Sequence, residues 1–376
     1  MTSTIPAASA NEQGKIAFTT VRLDDPVSVP GGGWFVATQN ANTTGFTQLT
    51  TNPHSAYNFI WSPDGSRIAY TLQIYTNLPA FMNAPPPTNL IDMLKATADL
   101  YNNMQQNLQS MQQMQIVPQL CIINANATGD HCFKGFDASQ FAWSPDGTQL
   151  VITTSAGTLE LIGSDGTNHH QLMTVSPQTY LGGFSPDGTR LLLADKNLYT
   201  IELNGTNRHN LPASTDLLIY PTWSPDGQHI AYIGYKGESG ALYVVNADGS
   251  NLRKLAPMDN FEDVGISWSP DSQQIAFVSF PPNNDDYSQN EALWVVSANG
   301  QSAPHKLAEI YGEGTFHDEM DVSAPVWSPT DDRIAFLALY DTDKLSHDVY
   351  LINADGTDLR RVTDDGELKN NLAWQP

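Results

Sequence analysis

The chain has 376 residues, with 40 Asp and Glu against 17 Lys and Arg and a formal net charge of −23. Binding to phosphate backbones or to anionic bilayers relies on clustered basic residues, so nucleic acid and a membrane surface are both poor partners. No apolar run approaches the ~20 residues that a spanning helix needs. A well-solvated acidic surface accounts for the charge, and cations or basic partners are the alternative.

In chain order, residues 1–14 begin MTSTIPAASANEQ, without the basic n-region or apolar core of a secretory leader, and are expected to form a tail on a chain trimmed of its leader. At Lys15 a short apolar strand, KIAF, begins. The same strand returns as RIAY at Arg67, QLVI at Gln149, RLLLA at Arg190, HIAY at His229, QIAF at Gln274 and RIAF at Arg333. Each later copy follows a pentapeptide: Trp61-Ser-Pro-Asp-Gly, then its repeats at Trp143, Phe184 and Trp223, and decayed forms at Trp268 and Trp327. A final WQP at Trp374 has no strand after it, as KIAF has no motif before it. The copies lie 82, 41, 39, 45, 59 and 47 residues apart, a period near 40 with insertions, which marks a repeat architecture.

Ser-Pro-Asp-Gly reads as a turn: Pro presets φ, Asp bonds back to nearby amides and Gly supplies a positive φ. The aromatic residue before it offers an apolar face for packing between neighbouring units. Trp61, Trp143, Phe184, Trp223, Trp268, Trp327 and Trp374 are therefore structural, not seven catalytic sites. Within a unit, LYVVNADGSNLRKL and VYLINADGTDLRRV carry a hairpin signal between a third and a fourth strand. Seven units of four short strands predict an all-β, seven-bladed β-propeller over 15–376, closed by a C-terminal strand joining the N-terminal blade.

The repeat Trp-Ser-Pro-Asp-Gly-x-x-Ile-Ala-Phe/Tyr resembles that of the TolB-like, WD40-like (PD40) β-propellers. It covers the chain from Lys15 to Pro376. That family includes periplasmic scaffold proteins and the propeller halves of prolyl-oligopeptidase-like enzymes. The chain departs from both: TolB carries a separate domain ahead of six blades, and no G-x-S-x-G nucleophile elbow is written here. The resemblance implies architecture, and fold alone does not give function.

One insertion interrupts the second unit, about residues 76–118. After three prolines, Leu90, Leu94, Tyr101, Met104, Leu108 and Met111 fall on one stripe at helical spacing. The expectation is a helix, or a helical hairpin broken near Asn102, that packs as a satellite core or serves as a lid or docking helix. Just beyond it, Cys121 and Cys132 flank a polar turn and would face each other across a hairpin, at a separation that suits a disulfide. A bridge implies an oxidising compartment, and two buried thiols a cytosolic one.

Both regular turns of each unit must emerge on one face of the ring, leaving the irregular connections on the other, where function is expected. Those connections are acidic. They hold Asp259, Glu262 and Asp263, then Asp285 and Asp286, then Glu313, His317, Asp318, Glu319 and Asp321, then Asp341, Asp343, His347 and Asp348, and last Asp364, Asp365 and Glu367. Carboxylates there suit Ca²⁺, and with His317 and His347 a transition metal, although no spacing matches a defined metal motif. Seven-bladed propellers of similar look include polysaccharide lyases that use His and a metal, which would put a base and ligand at His317 with Glu319 or Asp321. Basic residues, which acidic sugars would call for, are scarce in these loops.

The combined expectation is an extracytoplasmic, monomeric, non-catalytic scaffold that requires no cofactor and presents the acidic loops and the insertion to a protein or glycan partner. A carbohydrate-active enzyme with a metal near His317 is the alternative, and a sensor ectodomain cut from a membrane anchor is the third.

Overall fold

The computed structural model describes residues 14–21, 34–41, 45–51, 55–76, 115–213, 215–237, 239–258, 265–279, 292–310, 324–330, 332–339 and 347–376. Among them, strands form seven four-stranded antiparallel sheets, the expected blades, and no helix occurs. The second blade is typical: Ser55–Trp61, Arg67–Thr76, Gln115–Asn124 and His131–Asp137 follow one another as a meander. The third blade repeats it with Gln140–Trp143, Gln149–Thr153, Thr158–Gly163 and His170–Thr174. The sixth has Ile266–Trp268, Gln274–Ser279, Ala292–Ser297 and His305–Glu309, and the seventh Val326–Trp327, Arg333–Ala338, Asp348–Asn353 and Arg360–Arg361.

The second strand of a blade is an almost continuous apolar run because it is covered on both sides. His229–Lys236, for example, is buried at every position between its two ends. Stacked neighbours account for this, since a fully buried strand has no solvent face to alternate with. The motif aromatics supply much of that stacking. Trp143 shares a core with Ala69, Leu120 and Ile122 of the preceding blade. Phe184 does so with Val151 and Leu161, and Trp223 with Leu192 and Ala194. Trp268 joins Ile219 and Ala231, and Trp61 joins Ala17 and Val36 of the first blade.

Closure takes place as the motif count requires. Lys369–Trp374 pairs with Lys15–Val21 through Ile16↔Trp374, Ala17↔Ala373 and Phe18↔Leu372, so the C-terminal strand is the first strand of the N-terminal blade. Two bonds bind it to the second blade: Trp61 Nε1 donates to Ala373 O at 3.3 Å, and Gln375 Nε2 to Gly65 O at 2.7 Å. Cys121 and Cys132 are cross-strand partners and form the disulfide.

The expected helix, with Leu90, Leu94, Tyr101, Met104, Leu108 and Met111, lies outside the described residues. Its bounds need correction, however. Arg67–Thr76 and Gln115–Asn124 stay in register out to Thr76↔Gln115, with Gln73↔Pro118 and Ile74↔Val117 inside the ladder. The interruption is therefore residues 77–114. β-Branched Ile74 and Val117 favour the extended ladder, and so Gln115 to Pro118 continue a strand and not a helix.

Candidate functional site

At the regular end of the ring the pentapeptide forms the same device in five blades. In the second blade Ser62 Oγ donates to Asp64 Oδ1 at 2.6 Å and accepts Arg67 N at 2.9 Å, while Asp64 Oδ1 also accepts Ser66 N at 3.1 Å. The serine thus bridges both sides of the turn. Ser144–Asp146, Ser185–Asp187 and Ser269–Asp271 repeat the bond at 2.6 Å, and Ser224–Asp226 at 2.5 Å. Hydrogen bonds to the ionised form hold a carboxylate acidic. The Ser62 hydroxyl, with the amide and hydroxyl of Ser66, lowers Asp64 from 3.8 to about 2. Asp146 and Asp187 are lowered in the same way, chiefly by Ser144 and Ser185.

Each turn also seats on the one before it. A Cβ built on Gly147 would lie 3.7 Å from Pro63 Cδ, one on Gly188 3.7 Å from Pro145 Cδ, and one on Gly227 3.5 Å from Pro186 Cδ. All three glycines have φ of 67–70°, which a side chain would strain. In the sixth blade Ser272 takes that conformation, with φ 62°, and its Oγ accepts Asp226 N of the fifth blade at 3.1 Å. These Asp residues are joints.

A further contact was not foreseen from the sequence. The first residue of a second strand reaches to the next blade's motif aromatic. Arg67 stands over the Trp143 ring at 4.9 Å and donates from Nη2 to Gly147 O at 2.8 Å. Arg333 stands over Trp374 at 5.5 Å, and the His229 ring lies 6.3 Å from that of Trp268. The residues that make it recur in the sequence as the Arg, His, Gln or Lys that opens each second strand.

The opposite, variable end is described chiefly where the seventh blade meets the first. Asp348, expected on a solvated acidic rim, is instead 3 % exposed. It accepts the Thr363 hydroxyl at 2.8 Å and pairs with Arg361. Lys369 Nζ lies 3.9 Å from Asp348 Oδ1, pairs with Asp365, donates to Glu367 O at 3.0 Å and sits 5.9 Å from the centre of the Phe18 ring. The Lys369 side chain is fully buried. Buried charges persist only when paired, and here the pairs span the closure of the ring. Burial pushes Asp348 up from its ordinary value, against the pull of Thr363, Arg361 and Lys369. Arg361 ends the last strand of the seventh blade and Lys369 begins the closing strand, so both cations stand at strand ends beside the acidic loops.

His347 is the one histidine of the expected ligand face that is described. It is buried at the entry to Asp348–Asn353, and burial lowers its pKa, so it favours the neutral ring. Asp259, Glu262, Asp263, Asp285, Asp286, Glu313, His317, Asp318, Glu319, Asp321, Asp341 and Asp343 lie outside the described residues. Among the described residues, no three His, Cys, Asp or Glu side chains cluster as a metal site.

No family model matches the chain. An uncharacterised protein of Agrobacterium fabrum is 26 % identical over 263 residues, 62 % of this chain and 80 % of that protein. The Tol-Pal system protein TolB of Syntrophus aciditrophicus is 32 % identical over 54 residues, 14 % of this chain and 12 % of that protein, so the chain matches only about an eighth of its length. Among solved structures, TolB of Acinetobacter baumannii superposes with a TM-score of 0.50 at 15 % identity, covering 79 % of this chain and 63 % of that one. An oligogalacturonate lyase in complex with manganese gives 0.56 at 12 % identity, covering 95 % and 86 %. The protein is a seven-bladed β-propeller. Its Trp-Ser-Pro-Asp-Gly repeat resembles that of the TolB-like propellers, and TolB proteins are among the sequences and structures it is similar to.

Proposed function

We propose that the protein is a non-catalytic, extracytoplasmic scaffold whose variable face and blade-two insertion engage a protein or glycan partner. The observation that carries this reading is the second-blade hairpin. Its ladder stays paired to Thr76↔Gln115 and so delivers the longest insertion of the chain from a rigid base. The turn carboxylates at the other end are engaged in holding the ring, which supports a division between a building face and a binding face. The Cys121–Cys132 bridge supports an oxidising compartment. Replacing residues 77–114 by Asn-Gly, a two-residue turn suited to an antiparallel hairpin, should leave the melting temperature nearly unchanged and abolish capture of a partner from envelope extract or a glycan array. Capture that survives the deletion in a folded protein would overturn the reading.

The coverage of the lyase neighbour favours a second reading, a carbohydrate-active enzyme with a metal near His317. Incubation with oligogalacturonate and manganese separates the two. A rise in ultraviolet absorbance from an unsaturated product, lost in His317→Ala, would establish the enzyme, and its absence would leave the scaffold.

A further inference from the structure

The first strands of the blades wall the central channel, and neighbours pack together, as Tyr180–Phe184 does with Gln140–Trp143 and with Leu217–Trp223. Three residues before each motif aromatic, these strands reach one common level of the channel. The backbone there is left-handed in four blades: Asn371 at φ 50°, Asn58 at 37°, Tyr220 at 50° and Gly265 at 69°. Glycine and asparagine tolerate that conformation, and a bulky aromatic does not. Tyr220 is thus held against its preference, as strained residues are at ligand sites. It is 38 % exposed, and Tyr180 braces its ring edge-on with centroids 5.7 Å apart.

Asn58, Tyr220 and Asn371 each sit in a bulge of the first strand, so their side chains leave the blades in the same direction. In a ring of seven, the fifth blade stands opposite the seam between the first and second. The tyrosine therefore faces the two asparagines across the channel. Neither side-chain amide makes a hydrogen bond among the described residues. Beside Tyr220, the seam between the sixth and seventh blades is kept small, since a Cβ built on Gly265 would lie 2.5 Å from that of Ala324. Gln140 is already engaged, donating to Thr179 O at 2.8 Å and accepting Leu181 N at 2.9 Å. None of the seven residues at this level is charged, in a chain of net charge −23.

We propose that this level of the channel is a subsite for one neutral pyranose unit of a glycan, stacked on Tyr220 and hydrogen-bonded by Asn58 and Asn371. A pyranose has an apolar C–H face that matches an aromatic ring. Its hydroxyls both donate and accept, as an amide side chain does. A charged ligand would lose its hydration here and meet no counter-ion. The subsite rests on the glycan form of the scaffold reading and names the chemistry that the channel adds to it.

The test is a saturation-transfer NMR titration of the full chain with methyl β-D-glucopyranoside, methyl β-D-galactopyranoside and the methyl β-D-glucuronide. A neutral glycoside should bind saturably with a Kd on the order of 1 mM, and the glucuronide at least about tenfold more weakly. Asn58→Ala, at an exposed position, should weaken binding about fivefold. Tyr220→Asn, which supplies the residue of the first two blades, should abolish binding yet melt close to the wild-type chain, because relief of the backbone offsets the lost Tyr180 contact. Replacement of residues 77–114 should leave the glycoside bound, since a single sugar held this weakly is washed away in a capture assay and that assay reads the insertion alone. No saturable binding of either neutral glycoside, equal binding of the glucuronide, undiminished binding in both variants, or a Tyr220→Asn chain that melts well below wild type would overturn the subsite. Capture that survives the 77–114 replacement would overturn only the role of the insertion.

Discussion

The two ends of the ring are held by different physics. At the regular end, a serine-to-aspartate bond of 2.5–2.6 Å recurs in five blades, always local and always close to water. At the variable end, where the seventh blade meets the first, Asp348, Arg361 and Lys369 form a buried charged network that belongs to that closure. A half-buried turn bond of this kind contributes on the order of 1 kcal/mol, so a single copy can drift without loss of the fold. The seventh blade has drifted: Ser328 and Thr330 stand 3.5 Å apart where five other blades have the short bond. A buried charge has no such freedom, because removing one partner strands the other.

Two substitutions set the scale of the comparison. Trp223 packs two blades together, and Trp223→Ala should cost roughly 3–5 kcal/mol through lost burial and the cavity left behind. Urea melts read this directly, and a loss below about 1 kcal/mol would mean that the motif aromatic does not join blades. Lys369→Met keeps the volume and removes the charge, leaving Asp348 with Arg361 and Thr363 alone and Asp365 without its partner. The expected cost is about 3 kcal/mol. A neutral or stabilising result would show that the network gives the closure its register and not its strength.

The ring itself was legible in the sequence because it is written seven times. Counting Trp61 to Trp374 against the strands from Lys15 to Arg333 gave blade number, strand order and closure, since one unmatched strand at the start answered one unmatched motif at the end. Cys121 and Cys132 were legible for a similar reason, as a hairpin fixes which residues face each other. The Asp348 network was not. Asp348 has the same local text as exposed loop carboxylates, and its partners Arg361 and Lys369 lie on two other strands, so only their convergence in space distinguishes it. Arg67 was missed on different grounds. Its position repeats, but a surface cation after a turn carries no sequence mark of the indole it covers in the next blade.

That missed contact can be tested by making one seam resemble another. Arg67→Gln removes the stacked cation and its bond to Gly147 O, and should cost about 1–2 kcal/mol. Urea melts read this cost, and an unchanged midpoint would show that the stacked cation does not help to join the two blades.

The smallest expected effect concerns the turn carboxylates and their dependence on pH. Asp64 titrates near about 2 in the fold against an ordinary 3.8, so the folded state holds its proton more weakly than the unfolded chain does. Such a group stabilises fully above 3.8, and that contribution is lost as pH falls through 3.8 toward about 2. Asp64 is mostly exposed, and solvent screening brings its contribution to about 1 kcal/mol or less. Asp146 and Asp187 shift in the same direction, so the repeat multiplies a small term. Melting temperatures from about pH 6 to about pH 2 should fall for the wild-type chain most steeply below about pH 4. The triple variant Asp64→Asn, Asp146→Asn, Asp187→Asn should start slightly lower and fall less. Parallel curves would show that the turn carboxylates do not set the acid sensitivity, and the regular end would then hold its shape by backbone bonds alone.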